Sequence, residues 1–497
     1  MQASNTMERI RSEYGWSIAP FGIALAFTLL AKGLALVPGY AFDDYAGAYI
    51  DQGLSFYLSQ GRFTQALLQW VLTHAHLSTT DIAWVSTSLC LLALAGIASF
   101  VATHATRKQM PLGYIAAPIG ILCAYPYFTE YFTFRQAAYN EAFYLIFTLA
   151  HLQAFARLDA SRNPLDRENR WAFFASVAWL LLAMGGNQIT LGVSASIIYA
   201  IVLCTEAFEQ SDFPTRLRML SRALLSPVAA LVCYLILYKI LKMAAPQNVD
   251  PRGNLVALSA VPERLTDLWH LCRKIFLQGE PTVSGLAKGF LAVGALAPFI
   301  VAMRKSPGRL LYWAVGFVGL ILLAMLPLAV SGVWWPVPRA LSGLGFVFGP
   351  MAAALLVIAE VRKPVIALPW ICASLLLAFS SAAMLQQQQR LNRWDLNRAQ
   401  LIVHDIQLRY GVTPTMPVAL AGASYTYPRA LSTSDGDLNA SAFVKPWSLE
   451  GLFSEASGDL FEIEKTTDDA QRMCVGRPHW PDHDAIFDAD GHIFVCL

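Results

Sequence analysis

The run IAPFGIALAFTLLAKGLALVP, residues 18–38, is long and apolar enough to cross a bilayer, and Ala41-Phe42-Asp43-Asp44-Tyr45 follows at its mouth. Two adjacent carboxylates are costly to leave near lipid, and ionisable groups at such an edge tend to line a water-accessible cavity. The plainer reading is that Asp44 caps the amphipathic segment that continues to residue 60.

The rest of the chain repeats that first run. Of its 497 residues 56 % are hydrophobic and 14 % charged, against about 25 % charged in soluble domains. Mean hydropathy is +0.46. Eleven apolar runs stand out, at 17–38, 82–103, 111–127, 137–156, 171–186, 189–208, 223–243, 284–303, 309–330, 340–359 and 364–385. The expected fold is therefore a polytopic α-helical membrane protein of about 11 transmembrane helices. Met1 to Trp16 is mixed polar and does not read as a signal peptide. A net charge of +2, with no basic run interleaved with aromatics, gives no reason to expect a nucleic-acid partner.

Lysine and arginine alternate between the connections. One set holds Arg9 and Arg11, Arg107 and Lys108, Arg157, Arg162, Arg167 and Arg170, then Arg216, Arg218 and Arg222. Arg304, Lys305 and Arg309, followed by Arg362 and Lys363, complete it. The short opposite connections hold Arg62, Arg135 and Arg339 singly, and the longer one, about 244–283, holds Arg252, Arg264, Arg273 and Lys274, though long loops weigh less. The positive-inside rule puts the N-terminus in the cytoplasm and, with an odd number of spans, the C-terminal tail outside. The expected domains are a transmembrane part, 1–385, with outer loops 39–81 and 244–283, and an outer domain, 386–497. In that tail Gln386 to Tyr410 reads as a helix leaving the membrane, and Val418–Ala421 and Ile493–Cys496 read as strands of a small α+β domain.

The cysteines divide by compartment. Cys90, Cys123, Cys204, Cys233 and Cys372 fall within spans, where a free thiol behaves as a small hydrophobe. Cys474 and Cys496 bracket an outer segment rich in Pro, Asp and Gly, where an oxidising compartment favours a disulfide. Cys272 stands alone in the outer loop. No CxxC spacing supports zinc held with His479, His483 or His492.

On this topology one face gathers the polar residues that stand out. Asp43 and Asp44 follow span one. Tyr125, Tyr127, Glu130, Tyr131, Arg135, Gln136, Tyr139, Asn140 and Glu141 surround the turn after span three. Asn187 and Gln188 follow span five, and Trp334, Trp335 and Arg339 follow span nine. The bland account makes the aromatics an interfacial belt and the arginines snorkelling side chains. The sharper one is group transfer. A carboxylate can take the proton from an attacking hydroxyl, and arginine neutralises a phosphate leaving group by charge-assisted, bidentate bonds. Neighbours on a helix diverge by about 100°, so the two aspartates divide their tasks. Asp44 is taken as the base ahead of Asp43, which sits nearer the end of the span. The pair could also hold Mg²⁺ or Mn²⁺, though nothing demands a cation.

The opening Phe42-Asp43-Asp44-Tyr45, its continuation through Gln52-Gly53 to Gly61-Arg62-Phe63, the Phe134-Arg135 turn and Pro338-Arg339 before a span resemble a known pattern. It is similar to the type II glucosyltransferases of phage and bacterial O-antigen modification, within the glycosyltransferase C superfamily. The resemblance implies a polyprenyl-phosphate sugar donor, often glucose, and inverting transfer to a surface polysaccharide at the periplasmic face of the bacterial inner membrane. It implies Asp43 or Asp44 as base and Arg135, Arg339 and Arg62 as phosphate-binding candidates. Tyr127, Gln136, Tyr139, Asn140, Glu141, Asn187, Gln188 and Trp335 are then candidates for substrate contact. Ala340 departs from the aromatic that related transferases often carry after this arginine. No cytoplasmic DxD for a nucleotide sugar is evident, in keeping with a lipid donor. The alternative from another class is a transporter or flippase of lipid-linked sugars, but the chain lacks internal duplication and paired broken spans. A membrane acyltransferase would want a partnered histidine, and neither His104 nor His151 has an evident partner in the sequence.

Overall fold

The computed structural model describes residues 18–49, 53–106, 110–158, 163–244, 255–278, 282–361, 363–422, 438–464 and 468–497. Met1 to Trp16, Gln52, Arg107, Lys108, Arg162, Arg252 and Arg362 lie outside the described residues. The chain is predominantly helical, and each of the eleven apolar runs falls on a helix. Among the described residues seven helices are long and apolar enough to cross a membrane. Ile189–Leu203 and Arg170–Gly186 are shorter apolar helices. The chain has the make-up of a polytopic membrane protein.

Burial sorts these helices. The apolar window of Pro338–Ile358 is 89 % buried and that of Ala83–Ala105 78 %, against 22 % for Phe213–Met243 and Gly285–Lys305. The first two are apolar on every side because protein surrounds them, whereas the outer helices turn apolar side chains outward. Small residues and hydroxyls let the inner helices approach. Ser374 Oγ donates to Ala117 O at 3.1 Å and Ser381 Oγ to Ala124 O at 2.6 Å, and such contacts hold helices together where water supplies no driving force. Lys32, fully buried, donates to Cys123 O at 2.5 Å.

Three apolar runs take shapes that differ from simple rods. The third breaks after Leu112–Ala124 and bends by 45° into Pro126–Thr133, because Pro126 has no N–H with which to continue the helix. At Gly345 an added Cβ would meet Tyr125 Cβ at 2.7 Å, so the bent corner requires a bare backbone beside it. The seventh run is the second part of Phe213–Ala244, which contains Pro227. The last continues without interruption as Leu368–Tyr410, about 65 Å long at 1.5 Å per residue. Cys90, Cys123 and Cys204 are buried as expected, but Cys233 is exposed on an outward flank.

The loop 39–81 folds into helices Phe42–Tyr49, Gly53–Ser59 and Phe63–His74. Residues 244–283 contain Val261–Leu277, an amphipathic helix whose Cys272 Sγ lies 3.9 Å from Met325 Sδ. Beyond Tyr410, a four-stranded mixed sheet has the order β2 (Ile463–Glu464), β1 (Val418–Ala421), β4 (His492–Cys496), β3 (Ile486–Ala489). β1 runs parallel to β2 and β4, and β3 pairs antiparallel with β4 through an Asp490-Gly491 turn. Both turn residues have positive φ, as a tight hairpin requires. Cys474 and Cys496 are disulfide-bonded.

The sheet domain does not hang free. One apolar core joins Ile402 and Ile406 of the long helix, Phe443, Leu449 and Phe453 of the C-terminal domain, and Ala41, Phe42, Tyr45 and Phe134 of the N-terminal helical part. Asp395 fastens it by accepting Ser441 Oγ at 2.6 Å and Ala442 N–H at 2.8 Å. Gln388 and Gln389 donate to Tyr40 O and Leu34 O, and Asn392 to Tyr45 Oη. The glutamine run thus ties the long helix to the loop after the first span.

Candidate active site

Helix Phe42–Tyr49 distributes four consecutive side chains to different tasks. Phe42 and Tyr45, three apart and therefore on one face, enter the core shared with the outer domain. Asp44 is fully buried. Its Oδ2 accepts the Ala41 N–H at 2.8 Å and its Oδ1 the Gln136 N–H at 2.8 Å. The first bond is a first-turn carboxylate reaching back to the residue before the helix. The second pins the helix to the turn Arg135–Ala137. Burial pushes the Asp44 carboxyl up to about 7, against the pull of these N–H donors. Asp43 alone of the pair faces a cavity of about 780 Å³, and its Oδ1 accepts the Trp447 Nε1–H at 3.0 Å.

Arg62 lines the same cavity. It follows Gly61, whose φ of +74° calls for glycine and whose bare backbone lies against the Tyr234 hydroxyl and the Tyr238 ring. The Arg62 guanidinium reaches toward Gln65 Oε1 at 3.5 Å, and Thr64 Oγ1 anchors this corner on Leu182 O at 2.8 Å.

Arg339 enters from the turn Pro338–Leu341. Pro338 opens that turn, and the Arg339 N–H behind it has no helical acceptor. Glu130, fully buried just after the bend at Pro126, supplies one. Its Oε2 accepts the Arg339 N–H at 2.6 Å and its Oε1 accepts Nη1 at 2.7 Å. The guanidinium also lies 4.4 Å from the Trp335 ring centroid and 4.8 Å from that of Phe134. Charge pairing and two aromatic faces hold the arginine in one orientation.

The structure thus brings Asp43, Arg62, Gln136, Asn140, Glu141, Trp335 and Arg339 to one cavity. Asn140 and Glu141 are 2 % and 4 % exposed; Asn140 Nδ2 donates to Gly186 O at 3.2 Å. The remaining candidates lie outside the lining. Asp44 is spent on two backbone amides, and Tyr127 is buried edge-on to Tyr125. Tyr139 is buried in the core. Asn187 donates to Tyr131 Oη, and Gln188 to Gln60 O and Tyr234 Oη, so both hold neighbours of the cavity. Arg135 sits on the turn that carries Gln136, with Nε and Nη1 buried and without a hydrogen-bond partner.

Glu130 stood in the sequence as one polar residue among many at the bend. Trp447 and Lys445 also line the cavity, brought there across about four hundred positions by the C-terminal domain. No local signal marks them. Among the described residues no group of three or more His, Cys, Asp or Glu side chains gathers that could hold a metal ion. His151, unlike its reading from sequence, has a partner: Nδ1 lies 2.9 Å from Ser176 Oγ, and neither residue is in this cavity's lining.

A helical membrane chain with this cavity is, by its family, a glycosyltransferase. The family model described as Glucosyl transferase GtrII matches residues 36–377, and the chain belongs to that family. The match takes in Asp43, Arg62, Glu130, Arg135 and Arg339, and leaves the C-terminal sheet domain beyond it. No curated protein and no solved structure matches the chain.

Proposed function

We propose that the protein transfers a hexose, glucose by its family, from a polyprenyl phosphate to a surface polysaccharide at the periplasmic face of the bacterial inner membrane. The eleven-span topology with the outer domain outside belongs to this reading and rests on the alternation of lysine and arginine between connections.

The observation that carries it is the joint lining of one cavity by Asp43, Arg62 and Arg339. Asp43 accepts the proton of the acceptor hydroxyl as that oxygen attacks the anomeric carbon. The bond from that carbon to the phosphate oxygen breaks on the opposite face, which inverts the configuration. Polyprenyl phosphate leaves with the bonding electrons, its charge met by Arg62 and Arg339. What favours Asp43 over Asp44 as base is access: Asp44 is fully buried with both oxygens occupied by backbone amides. Arg135 has no place in the cavity lining and is assigned no phosphate contact here.

The test is turnover of purified Asp43→Asn in detergent with a polyprenyl-phosphate hexose and a polysaccharide acceptor. A fall of about 10² to 10⁴ is expected, the usual worth of general-base catalysis, with donor binding retained. Near-normal turnover would sink this assignment.

A further inference from the structure

The catalytic carboxylate proposed above is held by a part of the chain outside the family match. Trp447 opens helix Pro446–Ser457, which packs on helix Phe42–Tyr49. Its indole Nε1–H donates to Asp43 Oδ1 at 3.0 Å. The ring meets Phe42 edge-on at 6.2 Å, and Lys445 Nζ lies 5.3 Å from its centroid. Trp447 is 46 % exposed and lines the cavity, so it stands at the rim as well as touching the carboxylate.

We propose that Trp447 is a positioning residue for Asp43, and that the outer domain thereby completes the transfer site and flanks the acceptor sugar. An N–H aimed at one carboxylate oxygen fixes the side-chain rotamer and favours the ionised form, which is the form a base needs. The bond occupies Oδ1. An acceptor hydroxyl that reaches this carboxylate from the cavity sets its ring beside the indole face, a surface suited to the C–H groups of a pyranose. The inference rests on Asp43 as base and adds that the base depends on the outer domain.

Other charged groups bear on Asp43. Lys445 comes from the same outer segment, and Arg62, Arg339 and Glu141 line the cavity. Asp44 neighbours Asp43 on the same helix and feels its charge, and Asp44, Arg135 and Glu455 all act on Tyr40 beside that helix. All remain when only the indole is changed.

The experiment compares pH profiles of kcat/KM for the acceptor in full-length wild type, Trp447→Phe and Trp447→Gln, with Asp43→Asn alongside. Trp447→Phe keeps an aromatic ring and removes the donor. Its acid limb should move up by about one pH unit, a tenfold loss on that limb, with donor KM unchanged and the alkaline plateau kept. Trp447→Gln supplies an amide donor without a ring; it should restore the acid limb and raise acceptor KM. A Trp447→Phe profile superimposable on wild type, with Asp43→Asn inactive, overturns the inference and leaves the base standing. An active Asp43→Asn overturns both. Melting temperatures of the variants exclude a folding defect as the cause.

Discussion

Glu130 accepts both the backbone N–H and the guanidinium of Arg339, at 2.6 and 2.7 Å, across 209 positions of sequence. The carboxylate is fully buried and the arginine side chain is 15 % exposed. One residue therefore fixes where the turn at Pro338 sits and where its cation points.

A buried pair of this kind should behave as a unit. Glu130→Gln is expected to cost about 3 kcal/mol of stability, since the guanidinium loses its counter-charge. Arg339→Lys should weaken donor binding about tenfold, because a point charge replaces neither the fork nor the stacking on Trp335 and Phe134. In a double-mutant cycle read by donor affinity the two should couple by roughly 1 kcal/mol or more. Strict additivity would separate Glu130 from the site.

Asp44 yields a prediction on pH and stability. Its carboxyl is raised by burial from 3.8 to about 7 in the folded protein. Between those values the folded state holds a proton that the unfolded state has released, so this group's contribution declines as pH rises through that window. Above about 7 the folded protein bears a buried charge. Asp44→Asn cannot titrate, and it places an amide N–H₂ against the Ala41 or Gln136 N–H, at a cost of about 1–3 kcal/mol. Thermal melts from pH 4 to 8 should show the gap between wild type and Asp44→Asn narrowing as pH rises. A constant gap would mean that Asp44 does not titrate in this range.

The Cys474–Cys496 bridge closes a loop whose constraint is worth roughly 3 kcal/mol. Replacing both cysteines by serine should lower the melting temperature of the outer domain. If that domain completes the site, turnover should fall at temperatures where the membrane helices remain folded. Equal turnover in the two forms at such temperatures would make the outer domain dispensable.

Topology can be checked directly. Alkaline phosphatase joined after Leu497 should be active, and reporters placed after Arg304 should read cytoplasmic. An inactive phosphatase at the C-terminus would put the cavity's carboxylate and arginines on the wrong side for the proposed donor.

Much of the helical frame was legible because apolar length is a strong signal: the runs counted in the sequence are largely helical, and among the described residues seven helices are long and apolar enough to cross a membrane. Shape was less legible. The bend at Pro126 needs Tyr125 seated on Gly345, a contact between residues more than two hundred positions apart. Among the residues lining the cavity, Asp43, Arg62 and Arg339 stood out in the sequence because a charge beside an apolar run is conspicuous. Which of Asp43 and Asp44 faces the cavity was not legible, because it depends on the Gln136 N–H and the Trp447 indole, which only the fold brings near. Glu130 was visible as an acidic residue, but its partner was not.

The unbroken helix Leu368–Tyr410 acts as a ruler. One residue inserted after Leu385 would lift the outer domain by about 1.5 Å and swing it by about 100°, carrying Trp447 off Asp43 while leaving every membrane helix in place. On the proposed topology, height above the bilayer is thus written into the length of one helix. Under the proposed chemistry, an acceptor chain is modified only where it presents a hydroxyl at that height.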